Sequence, residues 1–116
     1  MNILETVRTI LINAGITNVT IGDLPTDYDK CVSLFQIDGT REYFFGGSFI
    51  DWPIVRIVIR DKDASTGMQT IDKIKKILDR YKDATIKSSV IRSLDSYLGR
   101  DDKRRNVWDL SFKMSL

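Results

Sequence analysis

Two segments of the chain carry apolar residues at the three- and four-residue spacing of an amphipathic helix. The first covers residues 2–14, where Asn2 can cap the first turn and Gly15 can end the helix in a left-handed conformation. The second covers residues 65–82, and Asp61, Asp63 and Ser65 are candidates to cap it. The apolar stripes consist of Ile3, Val7, Ile10, Leu11 and Ala14 in the first helix and Met68, Ile71, Ile74, Ile77, Leu78 and Tyr81 in the second.

Other segments alternate with a period of two, as β-strands do. Residues 31–38 are apolar on both faces, so we expect this strand inside the sheet. Residues 54–60 place three apolar residues on one face, while Arg56 and Arg60 share the other. Residues 86–98 alternate loosely and are predicted to pair with the last strand. That strand is predicted to bury Trp108, Leu110, Phe112, Met114 and Leu116 on one face.

The order helix, strand, strand, helix, strand, strand predicts an α+β fold with a mixed or antiparallel sheet of four to five strands. Both helices are expected to pack on one face, because that arrangement buries every apolar stripe. A length of 116 residues fits a single domain, residues 1–116. No apolar run approaches the ~20 residues needed to cross a bilayer, so we expect no membrane partner and synthesis in the cytoplasm.

The residues that usually perform catalysis are scarce. The sequence has no histidine, which excludes Ser-His-Asp triads and the common zinc sites. The one cysteine, Cys31, lies in an apolar strand and is expected to be a buried structural thiol. Asp61 and Asp63 could hold Mg²⁺ at a strand end, or could simply cap the next helix. We therefore expect a protein that is not an enzyme and has no catalytic residue, metal or cofactor.

An aromatic segment follows a turn predicted at Asp38-Gly39, and Gly46-Gly47 is interpreted as a turn within it. Two interpretations remain open for this segment. It could fold back over the domain's own core, or it could dock on a neighbouring molecule, since aromatic residues and arginine are enriched at interfaces. The second interpretation predicts a subunit interface formed by Phe49, Trp52, Arg56 and Arg60.

A basic cluster lies in the turn before the last strand. Its members are Arg100, Lys103, Arg104 and Arg105. They could contact phosphate, or they could be a solvated hairpin tip. The net charge of +2, with both signs interspersed, does not favour a large nucleic-acid surface.

The order and spacing of these segments resemble the minor capsid and tail-terminator (tail completion) proteins of long-tailed bacteriophages. The resemblance covers nearly the whole chain. It rests on the helix MNILETVRTILINAG, the loop and strand GDLPTDYDKCVSLFQIDG, the glycine-opened stretch GGSFIDWPIVRIVIRDKD, the helix ASTGMQTIDKIKKIL and the ending WDLSFKMSL.

The resemblance implies a small α+β subunit that forms a ring, generally a hexamer, on the head-proximal end of the tail tube. Such a ring stops tube polymerisation and provides the surface to which the filled head attaches, and DNA passes through its lumen. The implied partners are other copies of the chain, the tail tube protein, a head–neck connector protein and DNA in the lumen. The implied location is the tail of the virion, after synthesis in the bacterial host. The basic cluster at residues 100–105 would then contact the tube or the lumen.

Three alternatives remain open from the sequence. One is a head-closure or head-completion adaptor in the neck of the same virion. Another is a small Mg²⁺-dependent nuclease that uses Asp61 and Asp63. The third is a nucleic-acid binder that uses residues 100–105.

Overall fold

Both predicted helices form, and both lie on the same face of a five-stranded sheet. The structure is a computed structural model and describes residues 2–116. The elements are α1 Ile3–Asn13, β1 Val19–Ile21, β2 Cys31–Tyr43, β3 Phe49–Asp61, α2 Ala64–Leu78, β4 Ser88–Arg100 and β5 Asn106–Ser115. The predicted α+β class is confirmed. Within residues 2–116, neither helix has the length and apolar character needed to cross a membrane.

The helix starts form as the sequence predicts. The side chain of Asn2 caps α1 and accepts a hydrogen bond from the Glu5 N–H at 2.9 Å. Gly15 follows that helix with φ +93°, which confirms the predicted stop. The carboxylate of Asp63 caps α2 and accepts from the Ser65 N–H at 2.9 Å.

Two predictions about α2 are wrong. The helix ends at Leu78 and does not continue to residue 82, because Asp79 is extended and the Arg80 N–H donates to the Ser89 carbonyl, which turns the chain toward β4. Met68 is 56% exposed and does not belong to the buried stripe. Gly67 faces the sheet in its place, since the indole of Trp108 fills the space beside it.

The strands lie in the order β1-β2-β3-β5-β4. β1 runs parallel to β2 and every other pair is antiparallel, so the sheet is mixed. β2 lies between β1 and β3, as its two apolar faces predicted. Leu116 follows the end of β5 and is exposed, which contradicts its predicted burial. The sheet's contribution to the core comes from Val32, Leu34, Val55, Ile57, Ile59, Trp108, Leu110, Phe112 and Met114.

The turn predicted at Asp38-Gly39 is wrong, because both residues lie inside β2. The register shifts between Gln36 and Asp38, and pairing with β3 then continues as far as Tyr43 and Phe49. A Cβ on Gly39 would lie 3.0 Å from the Trp52 carbonyl oxygen. Glycine therefore serves the close approach of two strands here, and the chain does not turn.

A loop at residues 22–30 covers part of the sheet face opposite the helices. The Arg60 guanidinium donates to the carbonyls of Pro25 and Tyr28, and the Ser33 hydroxyl donates to the carbonyl of Asp23. Cys31 is fully buried, as predicted, and burial raises the pKa of its thiol. Polar groups of the loop and of this sheet face are thus buried together and hydrogen-bonded to one another.

Candidate functional site

The β2–β3 hairpin extends beyond the rest of the sheet as a two-stranded arm, defined here as residues 37–53. Pairing of β3 with β5 begins only at Ile54, so the residues of β3 before it pair with β2 alone, and pairing between β1 and β2 ends at Leu34. From Ile54 to Phe49 the arm is about 17 Å long at the usual rise of a strand. An open cleft of about 580 Å³ lies between its base and the start of α1. The molecule is accordingly elongated, at 53 × 24 × 22 Å.

Solvent-exposed aromatic residues surround the tip of the arm. Phe45 is 109% exposed and Tyr43 is 70% exposed, while Phe44 and Phe49 are each close to half exposed. Gly46 and Gly47 form the turn with φ +98° and +92°, a conformation that favours glycine and confirms the predicted turn. The interpretation that this segment folds back over the domain's own core is therefore wrong.

Pairs of side chains across the two strands stiffen the arm. Arg41 lies opposite Asp51 and donates to both carboxylate oxygens, at 2.5 and 3.0 Å. This hydrogen bonding raises the pKa of Arg41 and lowers the pKa of Asp51. The Arg41 guanidinium also lies 3.9 Å from the ring centroid of Phe49, and the Trp52 indole N–H donates to Glu42 at 3.3 Å. These contacts hold the two strands of the arm in register.

The four residues predicted as a subunit interface do not form one patch. Phe49 and Trp52 lie on the arm, whereas Arg60 lies eleven residues beyond Phe49 and eight beyond Trp52 on β3, roughly 36 and 26 Å away at the rise of a strand. Arg56 pairs with Asp109 of β5 at 2.8 Å. Arg60 is buried and bonded to the chain's own loop, as described above. The accessible part of the predicted surface is therefore the arm together with Arg56, whose side chain is 37% exposed.

The basic cluster at residues 100–105 divides in a similar way. Arg100, Lys103 and Arg104 are exposed. Arg105 is buried, and it donates to Asp101 at 2.8 Å and to the carbonyls of Thr26 and Tyr28 at 3.0 and 3.1 Å. This residue fastens loop 22–30 to the start of β5, and three basic side chains remain on the surface.

Opposing effects determine the pKa of Asp101. Its partial burial raises the pKa, whereas hydrogen bonds from the backbone and the guanidinium of Arg105 lower it. The hydrogen bonds outweigh burial, so the pKa lies below its ordinary value. Asp101 is thus a fixed negative charge that holds the turn together.

The carboxylates considered as a magnesium site have other partners. Asp61 is buried, and its Oδ1 accepts from the Asp63 N–H at 2.9 Å, while Asp63 caps α2. Among residues 2–116, no cluster of three or more potential metal ligands occurs. The two aspartates organise the start of α2, which is the capping interpretation given by the sequence.

One exposed surface was missed by the sequence interpretation. β4 lies at the edge of the sheet, and four of its apolar residues are 42–67% exposed: Val90, Leu94, Tyr97 and Leu98. The loose alternation of this segment was the available signal. The pairing of this segment with the last strand was predicted, but the exposure of its apolar side chains was not.

Taken together, these features define a small α+β protein with two uncovered apolar segments, a class suited to assembly with other chains. The chain belongs to the bacteriophage tail terminator proteins, whose family model matches residues 10–116. The resemblance found in the sequence is thereby confirmed, and the chain is a structural protein of the phage virion.

The fold is also similar to a solved structure described as the virion of a native gene transfer agent particle. That similarity has a TM-score of 0.61 and 14% sequence identity, and it covers 97% of this chain and 90% of the other. At this level of identity, the likeness shows a shared fold. A search of curated proteins found no match.

Proposed function

We propose that the protein caps the head-proximal end of the tail tube as a ring of identical subunits. In that position it stops tube polymerisation and presents the surface to which the filled head attaches. The observation that carries the proposal is the uncovered arm in a member of the tail terminator family. An isolated two-stranded hairpin is marginally stable in water, so an arm with an aromatic tip favours a role in which another chain covers it.

The partners in this proposal are further copies of the chain, the tail tube protein and a head–neck connector protein. The aromatic tip and Trp52 provide the apolar contact that assembly requires. Arg56 and Arg60 support this surface indirectly, because they hold β3 to β5 and to loop 22–30.

Electron microscopy of virions made without the protein tests the capping role. We expect tails of uneven length, many of them longer than normal. Normal tail length should be restored when the wild-type chain is supplied. Supplying Phe44→Ser/Phe45→Ser should fail to restore length. Met68→Ser should restore it, because Met68 is an exposed apolar residue away from the arm. Tails of normal length in the complete absence of the protein would contradict capping and favour the neck-adaptor alternative.

We also propose that Arg100, Lys103 and Arg104 contact the tube or the DNA in the lumen. Their exposure at one turn supports this role. Replacing all three with serine should weaken binding to tail tubes or to DNA. If DNA is the partner, the slope of log K against log salt concentration should fall in magnitude by up to ~0.9 per lost phosphate contact. Unchanged affinity for tail tubes together with an unchanged affinity and salt dependence for DNA would remove this turn from the contact surface.

A further inference from the structure

The exposed apolar residues of this chain are concentrated in two segments. Among residues 2–116, nine of the fourteen large hydrophobic residues that are exposed lie in the arm or in β4. The arm contributes five and β4 contributes four, although the two segments together make up about a quarter of the chain. This concentration indicates two separate contact surfaces, because scattered exposed apolar residues are the norm on a monomer.

The two surfaces differ in shape, which allows one to receive the other. The arm is a narrow ribbon with a bulky tip. β4 is a long edge strand whose pairing with β5 shifts register three times, between Ile91 and Ser93, between Ser93 and Ser96, and between Tyr97 and Gly99. Irregular edges of this kind oppose continuous strand addition. A partner would therefore engage β4 mainly through its side chains.

The charges of the two segments are complementary. Residues 37–53 contain Asp38, Glu42 and Asp51 against Arg41, a net charge of −2. Residues 88–100 contain Arg92 and Arg100 against Asp95, a net charge of +1. Asp95 is also paired with Lys75 of α2 at 2.8 Å, so Arg92 and Arg100 are the free charges of β4. Attraction between opposite charges favours an arm lying on β4 over an arm lying on another arm.

We infer that the arm of one copy lies across β4 of the next copy, with the aromatic tip against Leu94 and Leu98. The contact joins two different surfaces of the same chain, so each added subunit offers a free arm or a free β4 to the next. Contacts of this heterologous kind close into a ring when the rotation allows it. The inference rests on the proposed function, because it supplies the second surface that a ring of this protein needs.

Disulfide cross-linking on tail tubes tests this contact. Phe45→Cys and Leu94→Cys are combined in one chain, and Cys31 remains in place because it is fully buried. The double variant is incubated with purified tail tubes under mild oxidation and analysed without reductant. We expect a ladder that extends beyond the dimer, with a yield at least about tenfold above the control, since docking raises the effective concentration of the two thiols.

Two controls separate this geometry from other contacts. A double variant with Phe45→Cys and Met68→Cys carries an equally accessible thiol on α2 and should give only background cross-linking. A mixture of the Phe45→Cys and Leu94→Cys single variants should stop at the dimer, because each chain then has one reactive partner. A ladder that stops at the dimer in the Phe45→Cys/Leu94→Cys double variant would show a reciprocal pair and overturn the head-to-tail contact.

Failure of this inference is distinguishable from failure of the proposed function. If the wild-type protein restores tail length while Phe45→Cys/Leu94→Cys gives no more cross-linking than the control, the arm–β4 contact is wrong and capping stands. If the wild-type protein has no effect on tail length, capping is wrong whatever the gel shows. Circular dichroism of each variant, matching the wild type, excludes misfolding as the cause of lost cross-linking.

Discussion

Replacing Gly67 with alanine has two effects of opposite sign on stability, a gain in helix propensity and a loss from packing. The structure shows which is larger. Gly67 lies inside α2, where alanine is favoured over glycine by up to about 1 kcal/mol. However, a Cβ at this position would lie 2.6 Å from Cη2 of Trp108, with Cζ3 closer still, and 3.2 Å from Cβ of Asp61. The helix preference predicts a more stable protein, whereas the packing predicts a less stable one.

The packing term is the larger one, for a structural reason. Trp108 is buried, and its rigid ring packs against Tyr97 with the ring centroids 5.7 Å apart. Relieving an overlap below 3 Å must therefore move the indole or lift α2 from the sheet, at a cost of about 2–3 kcal/mol, the upper part of the range for an overpacked core. After the gain in helix preference, we expect Gly67→Ala to lower the free energy of unfolding by about 1–2 kcal/mol, or Tm by about 4–8 °C.

Thermal and urea unfolding, followed by circular dichroism, measure this change. Gln69→Ala, at an exposed position of the same helix, should stay within about 0.5 kcal/mol of wild type. In a Trp108→Phe background, which lacks the overlapping ring atoms, Gly67→Ala should lose most of its cost, so the double-mutant cycle should show strong coupling. A higher Tm for Gly67→Ala in the wild-type background would refute the reasoning.

Three further predictions follow from the buried groups. Arg105→Met should lower the free energy of unfolding by about 2–4 kcal/mol, because it removes the guanidinium bonds to the carbonyls of Thr26 and Tyr28 and to one carboxylate oxygen of Asp101; Arg104→Met, at an exposed position, should be nearly neutral in the same urea titration. The pKa of Asp101 is lowered in the folded state, so its stabilisation is present above the unfolded-state pKa and is lost as pH falls through the folded one. The difference in stability between wild type and Asp101→Asn should therefore shrink from about pH 6 to about pH 3, and a constant difference would contradict this role. Cys31, buried with a raised pKa, should react with a thiol reagent at least about 100-fold more slowly in native protein than in urea, and fast labelling would show that the loop opens readily.

Much of the fold follows from local patterns. The spacing of Ile71, Ile74 and Leu78 makes α2 amphipathic, and the alternation of Trp108, Leu110 and Phe112 makes β5 a strand with a buried face. Capping by Asn2 and Asp63 also depends on residues within one turn of the helix. These features were predicted correctly because the interactions that cause them span only a few positions in the sequence.

The candidate site was harder to predict, because residues of the same type are exposed at one position and buried at another. Arg104 and Arg105 are neighbours in sequence, yet one is exposed and the other is buried under loop 22–30, nearly eighty residues away along the chain. Asp38-Gly39 has the composition of a turn, but the close approach of the Trp52 carbonyl favours glycine within a strand. Such distinctions depend on contacts between distant segments, which periodicity does not record.

The sequence by itself determined the presence of the two helices, the buried faces of β3 and β5, the fold class and the resemblance to the tail terminator family, since all of these depend on local spacing and order. Tertiary structure alone decided that the aromatic segment is an exposed arm, that Arg60 and Arg105 are buried, and that β4 leaves apolar side chains exposed. The physical reason is that the burial of a side chain depends on the residues packed around it in the folded chain. Whether Phe45 or Leu94 is covered depends on which strands lie beside it, and on where the sheet ends.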